Sequence, residues 1–314
     1  MAATKLSLSD QLKQCNSFLG ILALVLFICS YLGEYHFILD LISNFKLQLA
    51  YGLISLSCIS LLLKNFKLAI PLLLCSSFLT TQLLSWYQPH KENINIHEQL
   101  TLYYANVLTH NPHKEKLLQD IQQHNPDIIA LVEVDAKWKK QLEKLKDYPH
   151  YKIIPRGDNF GIALYSKQPL DSISLSYFGT MRVPSIYATF TLNNKQLHFL
   201  LTHPVPPIGK NNATARNKAL EETAQFISNT QGPFILAGDL NTTMWSPHYM
   251  KLERDSKLYN TRQGFGICPT WPSGMFTKIP IDHILVSPDI HTTHFEVLPS
   301  IGSDHLPILV KLTF

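Results

Sequence analysis

Apolar positions follow two patterns along this chain. Through residue 87 they form long uninterrupted runs. SFLGILALVLFICSYLG (17–33), LQLAYGLISLSCISLLL (47–63) and LAIPLLLCSSFLTTQLLSWY (68–87) contain no Asp, Glu, Lys or Arg. A helix that crosses a bilayer needs roughly 17–25 mostly apolar residues, so each run predicts a span. A buried core helix is the alternative for any one of them, but three uncharged runs in series argue against it. After a polar connector, QPHKENINIHEQ (88–99), the apolar runs shorten and alternate with amphipathic stretches. TLYYANVL (101–108), YKIIP, GIALYS, SIYATFTL, QLHFLLTH, FILAGDL, DHILVSP, THFEVL and PILVKLTF predict strands. DIIALVEV (127–134) is nearly continuous, as expected of a strand covered on both faces. HKEKLLQDIQQH (113–124), closed by Asn125–Pro126, KWKKQLEKLKDY and TARNKALEETAQFIS (214–228) predict helices. The chain thus divides into an anchor (1–90), a linker (91–99) and a large domain (100–314) with the many strands and few helices of two packed sheets.

Charge adds an orientation. Charged residues make up 16% of the chain, against a typical ~25%, and the deficit lies in the three runs. Lys5, Lys13, Lys64 and Lys67 flank one side of the predicted spans, while the opposite short loop carries Glu34, Asp40 and Lys46. The positive-inside rule then predicts a cytoplasmic N-terminus and a large domain outside the cytoplasm of a plasma or inner membrane. A cleaved signal peptide is the rival reading of the first run. It lacks an A-x-A-like site, and the later runs would still hold the protein in the membrane. Cys15, Cys29, Cys58 and Cys75 lie in or beside the runs, leaving Cys268 alone in the large domain. No disulfide within that domain and no cysteine-based zinc site is expected.

Polar residues recur where the strands run out. Asn106 and Glu133 lie near the ends of the first two, and His203 closes QLHFLLTH. Asp239 and Asn241 follow FILA, Asp282 opens DHILVSP, and Asp304 and His305 precede the last strand. Each has an ordinary structural alternative, such as a turn former or a hydrogen-bonded core histidine. Together they make an oxygen-rich set suited to phosphate-ester hydrolysis, which needs charge neutralisation, an activated water and a stabilised leaving oxygen. Hard ligands such as Glu133 and Asp304, with so little cysteine, favour Mg²⁺ or Mn²⁺ over zinc.

The ordered motifs NVLTHN, ALVEV, GIALYSK, LLTHP, GDLNTT, IDHILVSP and GSDHLPI resemble the endonuclease/exonuclease/phosphatase superfamily, and its membrane-anchored bacterial branch in layout. The resemblance covers about residues 100–314 and none of the anchor. It implies a four-layered α/β sandwich, two packed mixed sheets flanked by helices, here preceded by three transmembrane helices. It implies Glu133 as principal metal ligand, with Asn106 and Asp304 beside it. Asp239 would orient or activate water or hold a second metal, and Asn241 would bond the phosphate. His305 would contact the phosphate or act as base with Asp282 setting its tautomer, and His203 would serve the leaving oxygen.

The superfamily's fold does not name a substrate. Residues 98–314 carry 21 Lys and Arg against 19 Asp and Glu, a weak balance for a DNA-binding domain. An anchored site favours a lipid-linked phosphate, pyrophosphate or phosphodiester. The alternatives are a membrane-tethered nuclease acting on nucleic acid and a catalytically silent binding module. No protein partner is expected. Lys210 and Arg216, in the loop after His203, belong either to a lid whose cations meet phosphate or to the solvated surface, and surface is favoured; Trp245 and Trp271 either contact an apolar substrate or pack the core, and core is favoured.

Overall fold

A computed structural model describes residues 7–89, 99–192 and 195–314. Residues 90–98, most of the expected linker, lie outside the described residues. The N-terminal segment, expected to be the anchor and called so below, comprises α1 (Leu8–Cys29), α2 (Phe37–Ser43), α3 (Lys46–Leu62) and α4 (Phe66–Leu84), with a 3-10 turn over Ser85–Tyr87. The helices differ in register from the apolar runs. α1 starts well before residue 17 because the Ser7 hydroxyl caps it, accepting from the Asp10 N–H at 3.2 Å, and it ends at Cys29. Leu8–Cys29 and Phe66–Tyr87 are each long and apolar enough to cross a membrane. α3 is shorter, and reaches that length only together with α2, from which it is bent by 69°. α2 itself was not legible as an element, because seven residues are too few to show a helical period.

The large domain begins with β1 (Gln99–Asn106), α5 (Lys114–His124), β2 (Ile128–Val132) and α6 (Ala136–Leu142). Then follow β3 (His150–Ile154), β4 (Ile162–Ser166), β5 (Ser172–Phe178), β6 (Val183–Leu192) and β7 (Lys195–Thr202). The chain continues through α7 (Gly209–Ser228), β8 (Phe234–Asp239), α8 (Pro247–Ser256) and β9 (Tyr259–Asn260). It ends in β10 (Asp282–Val286), β11 (His291–Val297) and β12 (Ile308–Thr313). Local chemistry sets these ends. Asp135 caps α6 through the Trp138 N–H at 2.7 Å. Asn125 closes α5 in the left-handed conformation ahead of Pro126, which cannot continue a helix. Ser246 caps α8, with Pro247 at its first position.

Two six-stranded mixed sheets result, ordered β11-β12-β1-β2-β4-β3 and β5-β6-β7-β8-β10-β9. Each holds one parallel pair, β1/β2 and β7/β8, and each pair is joined by a helix, α5 or α7. Strand alternation builds the core. Leu102 and Tyr104 on β1, Phe199 and Leu201 on β7, Ile235 and Ala237 on β8, and Ile284 on β10 fill the gap between the sheets. Burying each large apolar side chain there contributes about 1.5–3 kcal/mol. The intervening residues face outward. Tyr103 and Ile129 pack with Leu117, Ile121 and Trp138 of α5 and α6. Leu200 and Leu236 pack with Leu220 of α7 and Tyr249 of α8. The layers are therefore helix, sheet, sheet, helix. The cluster over the second sheet also runs into the anchor, through Leu53, Leu72, Leu79 and Leu83.

Candidate active site

The parallel pairs put four C-terminal strand ends side by side, where open α/β sheets characteristically bind ligands. Alternation then aims the side chains. Asn106 follows Tyr104 in inward parity, His203 follows Leu201, Asp239 follows Ala237, and Asp282 shares the face of Ile284. Asp282 and Asp239 are direct cross-strand partners. Glu133, one residue past Val132, is out of phase, but its φ of +64° turns the chain there. Asn241 and Leu108 also adopt left-handed backbone, at +52° and +57°. Non-glycine residues avoid this region, and such strain concentrates at functional sites.

Hydrogen bonds tie the set together. The Asn106 amide donates to Glu133 Oε1 at 2.9 Å and to Asp239 Oδ2 at 3.3 Å. The Thr109 N–H donates to Glu133 Oε2 at 3.2 Å. Asp239 Oδ1 accepts the Asn241 N–H at 2.9 Å, while Oδ2 lies 3.5 Å from His203 Nε2 and 3.7 Å from His305 Nε2. His305 Nδ1 meets Asp282 Oδ2 at 2.8 Å. Asp282 also accepts from the Thr270 hydroxyl at 2.6 Å and the Tyr104 hydroxyl at 3.1 Å. Trp271 Nε1 donates to Asp304 Oδ2 at 3.1 Å.

A cleft of about 590 Å³ opens onto these groups. Glu133, His203, Asp239, Asn241, Asp304 and His305 line it, and Asn106 and Asp282 stand directly behind, bonded to residues that do. All eight residues singled out in the sequence thus meet at one site. Burial disfavours a charge on His305, but Asp282 and Asp239 outweigh it and push the imidazolium up to about 10. Burial likewise opposes the Asp239 carboxylate, and the two histidines more than compensate, holding it below the usual carboxylate range. Tyr104 is driven well above its ordinary value, by burial first and the nearby carboxylates next, and stays a neutral donor. His203 Nδ1 is buried and has no hydrogen-bond partner among the described residues.

These residues fit a hard divalent cation. Glu133, Asp239 and Asp304 bring three carboxylates to one cleft, and oxygen donors of this kind suit Mg²⁺ or Mn²⁺. Asp239, Asp282 and His305 also converge to within 4.8 Å. Asp282, however, already accepts three hydrogen bonds, which marks it as the partner that orients His305. Asn106 presents its N–H groups to Glu133 and Asp239, and its oxygen accepts the Leu108 N–H at 3.1 Å. In this orientation its amide aligns the two carboxylates.

Two of the favoured placements are overturned. Arg216 is fully buried on α7, which begins at Gly209 and takes in most of the expected loop; Lys210 remains exposed. The Arg216 guanidinium pairs with Asp40 of α2 and donates to the Asn241 carbonyl at 2.9 Å. Trp271 lines the cleft instead of packing into the core, whereas Trp245 is buried as expected. Other contributors were not legible. Asn44 Oδ1 accepts the Thr243 N–H at 2.7 Å, Asp40 accepts the Ser246 hydroxyl at 2.5 Å, and His283 Nε2 meets the Thr242 carbonyl at 2.8 Å. The loop after Asp239 is therefore braced by the second sheet and, across some two hundred residues of sequence, by the anchor. Only Asp40, an acidic residue between apolar runs, carried any signal of this.

The family model described as Endonuclease/Exonuclease/phosphatase family matches residues 103–305, more than half the chain and all eight site residues. The chain belongs to this family. Its members are phosphoester hydrolases. Solved structures share the fold. A humanized D. rerio TDP2 carrying 14 mutations is 16% identical with a TM-score of 0.58, covering 69% of this chain and 99% of that one. The human Nocturnin catalytic domain with bound sulfate is 19% identical, TM-score 0.57, covering 70% and 95%. The Bacteroides thetaiotaomicron mannosyl-6-phosphatase Bt3783 is 20% identical, TM-score 0.55, covering 68% and 100%. No curated protein sequence matches the chain.

Proposed function

We propose that this protein is a divalent-metal-dependent phosphoester hydrolase, anchored by three membrane spans with its active site outside the cytoplasm. Its substrate is a lipid-linked phosphate, pyrophosphate or phosphodiester. The observation that carries the lipid reading is the make-up of the cleft: Leu41, Asn44 and Phe45 of the anchor line it together with Glu133, Asp239 and His305. In this reading α1, α3 and α4 are the spans, and α2 lies on the side of the large domain.

Glu133 and Asp304 would hold the metal, Mg²⁺ or Mn²⁺, and a bound ion would supply charge neutralisation during the displacement. Asp239, aligned by Asn106 and the Asn241 N–H, orients the attacking water and takes its proton. His305, held by Asp282, donates from Nε2 to a phosphoryl oxygen. Asn241, whose amide is steadied by the Pro204 carbonyl at 2.9 Å, adds a second donor. As the new oxygen–phosphorus bond forms and the bond to the leaving oxygen breaks, an ester bond or the anhydride bond of a pyrophosphate, His203 gives a proton to the leaving oxygen. Its buried Nδ1 retains hydrogen-bonding capacity for the substrate.

Two measurements test this reading. Glu133→Gln should raise the Mg²⁺ needed for half-maximal turnover by about 10–100-fold, at least the loss seen when a metal site loses an outer partner. An unchanged titration removes Glu133 from the ligand set. A phosphatase reporter that works only when exported, fused after Phe314, should be active. Activity of a cytoplasm-only reporter at the same position contradicts the orientation.

A further inference from the structure

Part of the cleft lining belongs to the anchor and is apolar. Leu41 lies on α2 and Phe45 is the residue just before α3; both face the cleft alongside Pro206, Pro207 and Ile208 of the large domain. Phosphate chemistry has no use for such a wall, since a hydrophilic ester would find nothing there to hydrogen-bond. The wall is also held in place. Asp40 and Asn44, one helical turn apart, bond Arg216, Ser246 and the Thr243 N–H, so Leu41 and Phe45 cannot drift from the catalytic loop.

The rim is apolar as well. Ile208 is 78% exposed. On the neighbouring loop, Gln48 of the first turn of α3 donates to the carbonyls of Thr277 and Lys278, both at 3.0 Å. That loop follows cleft-lining Trp271 and exposes Met275 (53%) and Phe276 (97%). Large apolar side chains exposed beside a membrane helix belong in the interfacial layer of a bilayer. α3 itself, starting one residue after Phe45, exposes Tyr51, Ile54 and Leu62 along its length. The apolar lining of the cleft is thereby continuous with surface suited to lipid.

We infer that the cleft draws its substrate from the bilayer, with Leu41, Phe45 and Ile208 seating the hydrocarbon chain of a lipid phosphate. The Met275–Phe276 loop rests in the same leaflet, and the phosphate reaches Glu133, Asp239 and His305 without the chain leaving an apolar surface. This rests on the hydrolase reading above and adds the seat for the chain. Two independent measurements on the full-length protein in phosphatidylcholine nanodiscs test it.

The first compares kcat/KM for butyl and hexadecyl phosphate. The wild type should favour the long chain by about tenfold or more, since each buried methylene contributes. Ile208→Ser, at an exposed position that does not endanger folding, and Leu41→Ser with Phe45→Ser should each flatten that ratio. A destabilised variant would lower both substrates together and leave the ratio intact; an intact ratio in both variants overturns the seat. The second measurement does not depend on turnover. Hexadecyl phosphate with a diazirine at the chain end should, on illumination, label residues 37–48 or 204–209, and unlabelled hexadecyl phosphate should compete. Label confined to α1 and α4 overturns the seat. If label falls as expected while no phosphate ester is turned over, the chain seat stands and the hydrolase reading is what fails.

Discussion

At the residue scale, the site is an arrangement of charges that neutralise one another at the mouth of the gap between the sheets. His305 is the hinge of that arrangement, facing Asp239 with one nitrogen and Asp282 with the other. His305→Ala and Asp282→Ala should each cut kcat sharply, and the double variant should cost much less than the product of the two losses. Multiplicative losses would show that the residues do not act as a pair. The sequence showed these residues because strand parity is legible: two positions beyond an inward-facing apolar residue, a polar side chain must enter the same gap. Glu133 was found through its place near a strand end, not through parity, since only its left-handed backbone brings it round. Thr270 and Tyr104 were missed, and Trp271 was favoured as core, because an aromatic or hydroxyl residue near a strand end reads equally well as core.

At the scale of elements, two close approaches set the site. Gly238 lies against β7 so tightly that a Cβ would come within 2.0 Å of the Thr202 carbonyl oxygen. Gly238→Ala should therefore destabilise the domain by about 3 kcal/mol or more, the upper end of overpacking costs, as read by denaturant titration. A change below about 1 kcal/mol would mean the parallel pair yields easily. The second approach is that of α2 to α7, through the buried Asp40–Arg216 pair. Burial weakens the proton affinity of Arg216, and Asp40 restores part of it. Removing one partner leaves the other charge buried, which costs about 3–5 kcal/mol. Asp40→Leu and Arg216→Leu should thus each lower Tm strongly, and the double variant should recover much of the loss. Equal losses in all three would show that packing, not charge, couples the elements. A sequence cannot reveal such a pair directly. The partners are remote in the chain, and a basic residue after a proline-rich stretch looks like surface.

At the scale of the whole molecule, the sequence divides more cleanly than the structure does. The switch from continuous apolar runs to short alternating ones falls between the N-terminal helices, which end at Tyr87, and β1, which begins at Gln99, and the helix–sheet–sheet–helix layering follows from the alternation. The joint between them was not legible, because it is made of α2, scattered side-chain contacts such as those of Asp40, Asn44 and Gln48, and a shared apolar cluster over the second sheet. Residues 99–314 alone would expose that face and leave Arg216 unpaired. The isolated domain should melt well below the full chain in detergent and bind a hydrophobic dye; matching melting curves would make the anchor a mere tether.

A metal-dependent hydrolase working on lipid and a tethered nuclease differ in what they cleave. Full-length protein and its Asp239→Asn variant, in nanodiscs, are offered an isoprenyl pyrophosphate and supercoiled DNA side by side, with Mg²⁺ and with EDTA. Inorganic phosphate should be released from the lipid, abolished by the substitution and by EDTA, with the DNA left intact. Asp239-dependent nicking of the DNA, with no phosphate released from the lipid, would contradict the lipid reading and make the protein a nuclease whose membrane helices serve only to hold it there.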